Sequence, residues 1–284
     1  MDVDAFRERL TAAGLGEYAE ALVALARPSA RLEAELSDEA DIGIGETKLG
    51  GYPDLPPDLD WPRYDGAPQS FVAQINLAET HPYDLDPVLP PAGLLSFFYE
   101  SSQSVWGFDP KEDGAWAVHH TPDAADLVRR EPPSDLPPEA LFDARRLQPS
   151  SELTYAPSWF SEVAALNLTR DQKFALDEVL EAEEAAEETI HRFLGHPDPI
   201  QGDMQLECQL VAHGLYCGDL SGYEDPRAAE LAPGAARWRL LLQVDSDDGV
   251  GMMWGDGGRI YYWMHEDDLA ARSWAKARLV LQCG

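Results

Sequence analysis

The chain has 284 residues, of which 44% are apolar and 10% aromatic, enough to bury a substantial core in one large domain or two small ones. Its 52 acidic and 21 basic residues leave a formal net charge of -31, a field that repels phosphate backbones and anionic headgroups and argues against nucleic acid or a membrane as partner. No apolar run is long enough to cross a bilayer, the acidic start Met1-Asp2-Val3-Asp4 lacks the basic region of a signal peptide, and Cys208, Cys217 and Cys283 are too few and too irregular for a secreted disulfide framework, so a cytoplasmic protein is expected.

Phe6, Leu10 and Ala13, then Tyr18, Leu22 and Leu25, recur at helical spacing around Gly14 and Gly16 and predict a short N-terminal helical hairpin. A strand is expected near Ala30–Leu36, where Leu32, Ala34 and Leu36 alternate with charged residues. Beyond Gly45, Lys48, Gly50 and Gly51 comes a proline-dense stretch from Pro53 to Pro62, which a central strand cannot carry and which therefore belongs on the surface or over a cleft. Glu131 to Pro138 reads as an extended connector. Thr169 with Gln172 has the form of a capping box, opening a helix expected to run to about Phe193. Phe174, Val179, Ala182, Ala186, Ile190 and Phe193 would share its apolar face, with Asp177, Glu178, Glu181, Glu184 and Glu188 on a solvated acidic one. Strands follow at Trp238–Val244, Met252–Trp254, Arg259–Met264 and Ala277–Gln282, separated by Asp-Gly-rich turns, an antiparallel meander.

Two parts of the chain share an element order. Gly51-Tyr52-Pro53-Asp54 is answered by Gly195-His196-Pro197-Asp198, Phe71-Val72-Ala73-Gln74-Ile75-Asn76 by Leu240-Leu241-Leu242-Gln243-Val244-Asp245, and the aromatic run Gly93–Tyr99 by Gly258–Met264. A β-rich α+β protein follows, in which two pseudo-equivalent β units share a core and carry appended helices. We expect one compact domain over 1–284, divided into an N-terminal helical segment and strand (1–36), a first β repeat (45–130), a connector with an acidic helix (131–194) and a second β repeat (195–284).

The chemistry is less explicit. Asp245, Asp247, Asp248 and Asp256 sit at loop spacing but match a calcium loop poorly, since Val250 stands where the turn glycine belongs. Cys208, His213 and Cys217 lack the close cysteine pair of structural zinc and are expected to be semi-buried residues of a strand pair. No metal or cofactor is predicted. Neither a G-x-S-x-G elbow, a G-x-G-x-x-G turn, a P-loop nor an H-E-x-x-H helix occurs. What remains is a set of polar and aromatic residues at matching places: Tyr52, Asp54 and Gln74 in the first repeat, and His196, Asp198, Gln201, Asp203, Gln243, Asp245, Trp254 and Asp256 in the second. If the repeats pack face to face, these could converge on a ligand-binding groove between them. Otherwise they form turn caps and inter-repeat hydrogen bonds.

Lys48–Pro53, Phe71–Leu77, Gly195–Asp203, Leu241–Asp247 and Met253–Gly258 followed by an aromatic strand together resemble the YwqG-like family, the domain of unknown function 1963, from about Gly45 to Gln282. The resemblance implies a mainly antiparallel, β roll-like scaffold of bacterial, cytoplasmic type and no established activity, cofactor or catalytic residue. The N-terminal hairpin and the acidic helix lie outside its motifs.

Two functions are expected to compete. One is a non-catalytic binding or protein-interaction module that takes a basic partner, a toxin being one candidate. The other is a small-molecule enzyme or ligand sensor using the groove, with aspartates and His196 as acid–base candidates and a perturbed pKa as its mark.

Overall fold

The protein was analysed as a computed structural model, which describes residues 2–83, 89–123, 125–181 and 189–284. Ten strands form one antiparallel sheet: β1 (Arg27–Glu35), β2 (Lys48–Leu49), β3 (Ser70–Asn76), β4 (Leu94–Tyr99), β5 (Trp116–Thr121), β6 (Arg145–Thr154), β7 (His191–Phe193), β8 (Trp238–Asp245), β9 (Arg259–His265) and β10 (Arg278–Gln282). Their order across the sheet is β10-β9-β8-β7-β1-β6-β2-β3-β4-β5. The helices include α1 (Val3–Ala12), α2 (Ala19–Val23), α3 (Arg170–Glu181) and α4 (Met204–Ala212). The fold is therefore β-rich α+β, as the sequence predicts.

The sheet has a pseudo-twofold axis through the β1–β6 ladder, near the pair Arg31 and Ser150. On one side lie β2 to β5 and on the other β7 to β10, and the two sets match in detail. Lys48 pairs with Gln74 and Leu49 with Ala73, just as Arg192 pairs with Gln243 and Phe193 with Leu242. A register shift falls between Phe71 and Ala73 in one copy and between Leu240 and Leu242 in the other. The leading strands are exchanged: β1 precedes the first copy in sequence but pairs with β7 of the second, while β6 precedes the second copy but pairs with β2 of the first.

Long aromatic runs make strands with both faces covered, so burial is continuous along β4 and nearly so along β9 instead of alternating. Leu95, Phe97 and Tyr99 of β4 and Ile260, Tyr262 and Met264 of β9 point into one core that both copies share. The neighbours Tyr261 and Trp263 face the opposite way, under α1, α2, α3 and α4. The sheet curls until its halves meet. The rings of the equivalent Phe97 and Tyr262 lie 5.0 Å apart, an aromatic contact worth about 0.5–1.5 kcal/mol beyond its buried area. Trp116 of β5 donates its indole N–H to the Ala277 carbonyl beside β10 at 2.6 Å.

Several elements differ from expectation. The N-terminal hairpin forms, with Phe6, Leu10 and Leu22 buried, but Ala34 and Leu36 are exposed because β1 runs beyond the covered part of the sheet there. Thr169 and Gln172 make the capping box, yet α3 ends at Glu181, and His191–Phe193 is a strand, claimed by the ladders of β1 and β8. Ala182, Glu184, Ala186 and Glu188 lie outside the described residues. On α3 the buried positions are Leu176 and Val179, whereas Phe174 is exposed and Asp177 turns inward to accept from Ser158. Met252–Trp254 forms only a bridge from Met252 to Asp247, because Trp254 leaves the strand direction to fill the core against Tyr99 and Phe142. Cys208 sits on α4 and His213 and Cys217 just after it, not in a strand pair.

Candidate functional site

In each copy the chain leaves its short strand through two residues with positive φ, Gly50 (53°) and Gly51 (67°) in the first, Leu194 (62°) and Gly195 (79°) in the second. A Cβ on Gly51 would stand 1.8 Å from Glu39 Oε2, and one on Gly195 would stand 2.7 Å from both Ser29 Cβ and Thr154 Oγ1, so no larger residue fits. This double left-handed turn returns the chain over its own sheet and lays the aspartate beside the glutamine. Asp54 N donates to Gln74 Oε1 at 2.9 Å, and Gln74 Nε2 donates to Asp54 Oδ2 at 2.7 Å and to the Glu46 carbonyl at 2.8 Å. Asp198 N donates to Gln243 Oε1 at 2.9 Å, and Gln243 Nε2 donates to Asp198 Oδ2 at 2.9 Å and to the Ile190 carbonyl at 3.0 Å. Both glutamines and Asp54 are completely buried, and these bonds satisfy polar groups that could not otherwise be placed inside. Each network also holds a buried cation two residues before the turn's first glycine or leucine: Lys48 donates to the Tyr52 carbonyl, Arg192 to that of His196.

The copies diverge in what closes the network. In the first, Arg129 reaches in from the two-residue strand Val128–Arg129, which pairs with Asp54–Leu55. Its guanidinium grips Asp54 at 3.0 and 3.2 Å and donates to the carbonyls of Glu39, Ile42 and Gly43. Burial pushes the Asp54 carboxyl up, but donors from Arg129, Gly45 and Gln74 outweigh it and hold the group below its usual range. Burial drives the Lys48 ammonium below its ordinary value against the pull of Glu39 and Asp54.

In the second copy Arg192 itself serves Asp198, at 2.5 Å, and uses its remaining donors on Glu152 at 2.7 and 2.9 Å. Burial would lower its pKa, and the two carboxylates raise it instead. Above these groups lies a cleft of about 220 Å³ between β1, β6, β7 and α3. Arg31, Glu152, Arg192 and Asp198 line it together with the apolar Trp159 and Leu180, half-buried Asp177 and exposed Glu181. Arg31 lies 3.8 Å from Glu152 and donates to the Thr189 carbonyl at 3.1 Å. Asp177 accepts from Ser158 Oγ at 2.7 Å, and burial raises its carboxyl pKa against those hydrogen bonds. His196 lines the cleft but is 2% exposed. Its Nε2 is held 2.7 Å from the Leu25 carbonyl, its Nδ1 is buried without a partner, and burial lowers its pKa to about 4.

The eleven sequence candidates are thus divided. Tyr52, Asp54 and Gln74 belong to the first network, and His196, Asp198 and Gln243 to the second. Asp245 is beside the second, accepting from Ile190 N at 2.9 Å and pairing with Arg259 at 3.1 Å. Gln201 is exposed and donates to the Cys283 carbonyl, Asp203 caps α4 through the amides of Gln205 and Leu206, Trp254 is core, and Asp256 sits exposed in a turn. The repeats do face each other, but across an apolar core, and the matching Asp–Gln pairs, Asp54 with Gln74 and Asp198 with Gln243, bond inside their own copy. Only His196 and Asp198 reach the cleft. Arg31, Glu152, Trp159 and Arg192 are cleft residues that the sequence does not single out. Aligning the two copies would have exposed one of them, since Lys48 and Arg192 place a cation at the same step before the matching turn. Among the described residues no group of three or more His, Cys, Asp or Glu is arranged to hold a metal ion.

This architecture is that of an α+β protein with a duplicated antiparallel sheet whose leading strands are exchanged. The chain matches the Domain of unknown function (DUF1963) over residues 47–283 and belongs to that family, the YwqG-like family that its motifs resemble. The matched range takes in both networks and α3, while β1 precedes it. No curated protein matches the chain. Among the described residues no helix is long and apolar enough to cross a membrane.

Proposed function

We propose that the protein is a non-catalytic, cytoplasmic binding module whose second-copy cleft receives a cationic side chain of a basic protein partner. The observation that carries this reading is the cleft itself, lined by Glu152, Asp177, Glu181 and the aromatic Trp159, in a chain of net charge -31. A guanidinium or ammonium entering there would find carboxylates and an aromatic face, and the long-range field would speed its approach. Arg192 and Arg31 occupy Glu152 and Asp177 accepts from Ser158, so Glu181, exposed at the end of α3, is the carboxylate best placed to meet the guest. Binding is favoured over acid–base catalysis because His196, the cleft's only imidazole, has one nitrogen engaged and the other buried.

The test is a titration with an oligo-arginine peptide, followed by tryptophan fluorescence against a Trp159→Phe control. Binding should weaken steeply with added salt, and Asp177→Asn with Glu181→Gln should weaken it about tenfold, equivalent to about 1.4 kcal/mol. Binding that ignores both salt and these substitutions would refute the reading.

A further inference from the structure

A second groove, of about 770 Å³, lies along β10 and shares no residue with the cleft above. Its volume suits a metabolite. At its wall the Arg278 guanidinium stacks 5.0 Å over the Trp116 ring, with 7% of the side chain exposed. One terminal nitrogen, Nη1, pairs with Asp113; the other, Nη2, is buried and has no hydrogen-bond partner among the described residues. A guanidinium stays charged at any working pH and its donors require acceptors, so this one is underserved by its own chain. The carboxylate that does serve it is unusual. Asp113 is 69% exposed and belongs to a turn, and an ion pair with so solvated a partner contributes little and is readily exchanged.

A second feature of the wall is built to a close tolerance. A Cβ on Gly234 would lie 2.3 Å from Gln209 Nε2, so the glycine makes room for this carboxamide. Gln209 Oε1 accepts from the Trp238 indole N–H at 2.8 Å, which fixes the amide and leaves its nitrogen as a donor on the groove. Arg237 and Lys276 stand at the rim, paired with Asp267 and Asp268.

We propose that this groove binds a metabolite-sized oxyanion, a carboxylate or phosphate, which displaces Asp113 and takes its place on Arg278, with Gln209 as a further donor. Asp113 would then act as an internal stand-in for the ligand at Nη1, while the Glu207 and Glu112 carboxylates, which also act on this guanidinium, stay in place. Asp267 and Asp268 also line the groove but are paired with Arg237 and Lys276, and at moderate ionic strength the repulsion from more distant surface carboxylates is screened, while the direct contact with Arg278 persists.

The experiment is calorimetric titration of wild-type protein, Asp113→Ala and Arg278→Gln with inorganic phosphate and with citrate, in a chloride-matched buffer. Removing the competitor should tighten binding of at least one anion about tenfold in Asp113→Ala, and Arg278→Gln should abolish it. Phosphate-only or citrate-only binding assigns the headgroup. Because Asp113 is exposed, its variant will fold even if Arg278→Gln does not. No binding of either anion to Asp113→Ala, or binding no tighter than wild type, overturns the proposal.

Discussion

Lys48 and Arg192 occupy the same place in the two copies, yet one is sealed and the other opens on a cleft. The difference lies in what each cation can reach. A lysine offers a compact charge and cannot span the carboxylates around it, so a third group, Arg129, is brought in from another segment to grip Asp54 and close the site. An arginine presents a fork that holds Asp198, Glu152 and the His196 carbonyl at once, and no further segment is needed. The same polar scaffold occurs twice, and the copies differ in the cation it holds and in the groups that close it.

That contrast can be broken most sharply at the aspartates. Asp54→Ala strips the fully buried Gln74 amide, the Gly45 amide and both arms of Arg129 of their acceptor, leaving Lys48 and Arg129 paired with Glu39 alone, and should cost about 3–5 kcal/mol, whereas Asp198→Ala leaves Arg192 on Glu152 and should cost about 2 kcal/mol. Urea unfolding midpoints at neutral pH, read with unchanged slopes, measure both; equal losses would mean that the two networks are closed in the same way. His196 provides the next test. Burial keeps His196 neutral in the folded state, with its pKa lowered to about 4, so its contribution is fully present above pH 6.5 and is lost as pH falls from there toward 4. The full effect is about 3 kcal/mol, and His196→Gln should flatten that limb of the stability profile. Glu207, raised by burial to about 7, acts with the opposite sign, its contribution fading as pH rises between 4.5 and 7, and it cancels when variant and wild type are compared. The smallest effect concerns what the copies share. Gln74→Met and Gln243→Met each unpair the same buried amide and carbonyl groups and should cost about 2 kcal/mol apiece. Unequal losses would show that the scaffolds differ as well as their closures.

How much of this was legible depends on the range of the interactions involved. Trp238–Val244 and Arg259–Met264 declare themselves as strands because local aromatic and branched residues decide them, and Thr169 with Gln172 declares a helix start. Ile190 and Phe193 also fit a helical period, but strands on both sides claim His191–Phe193, and no local signal carries that. The helix Met204–Ala212 was missed because it is buried on most sides and shows no clean polar face; its capping residue, Asp203, read instead as a ligand candidate. The matching Asp and Gln positions were visible, but the hydrogen bonds expected between repeats lie instead inside each copy, Asp54 with Gln74 and Asp198 with Gln243. The cleft was not visible. Arg31 and Glu152 approach because β1 and β6 run side by side, a register set by tertiary pairing across the four strands β2 to β5 that intervene in sequence.

The exchange of leading strands also sets a timetable. During synthesis β1 emerges well before either neighbour exists, since its partners are the distant β6 and the still later β7. The first copy can gather β2 to β5 around Gln74, but its inner edge stays unpaired until β6 arrives, and an unpaired strand edge invites association with other chains. Such long-range closure makes for slow folding. Cutting the chain within the 131–138 connector would therefore not yield two independent units: each fragment would carry the strand that the other requires, and the pair would have to reassemble to complete either.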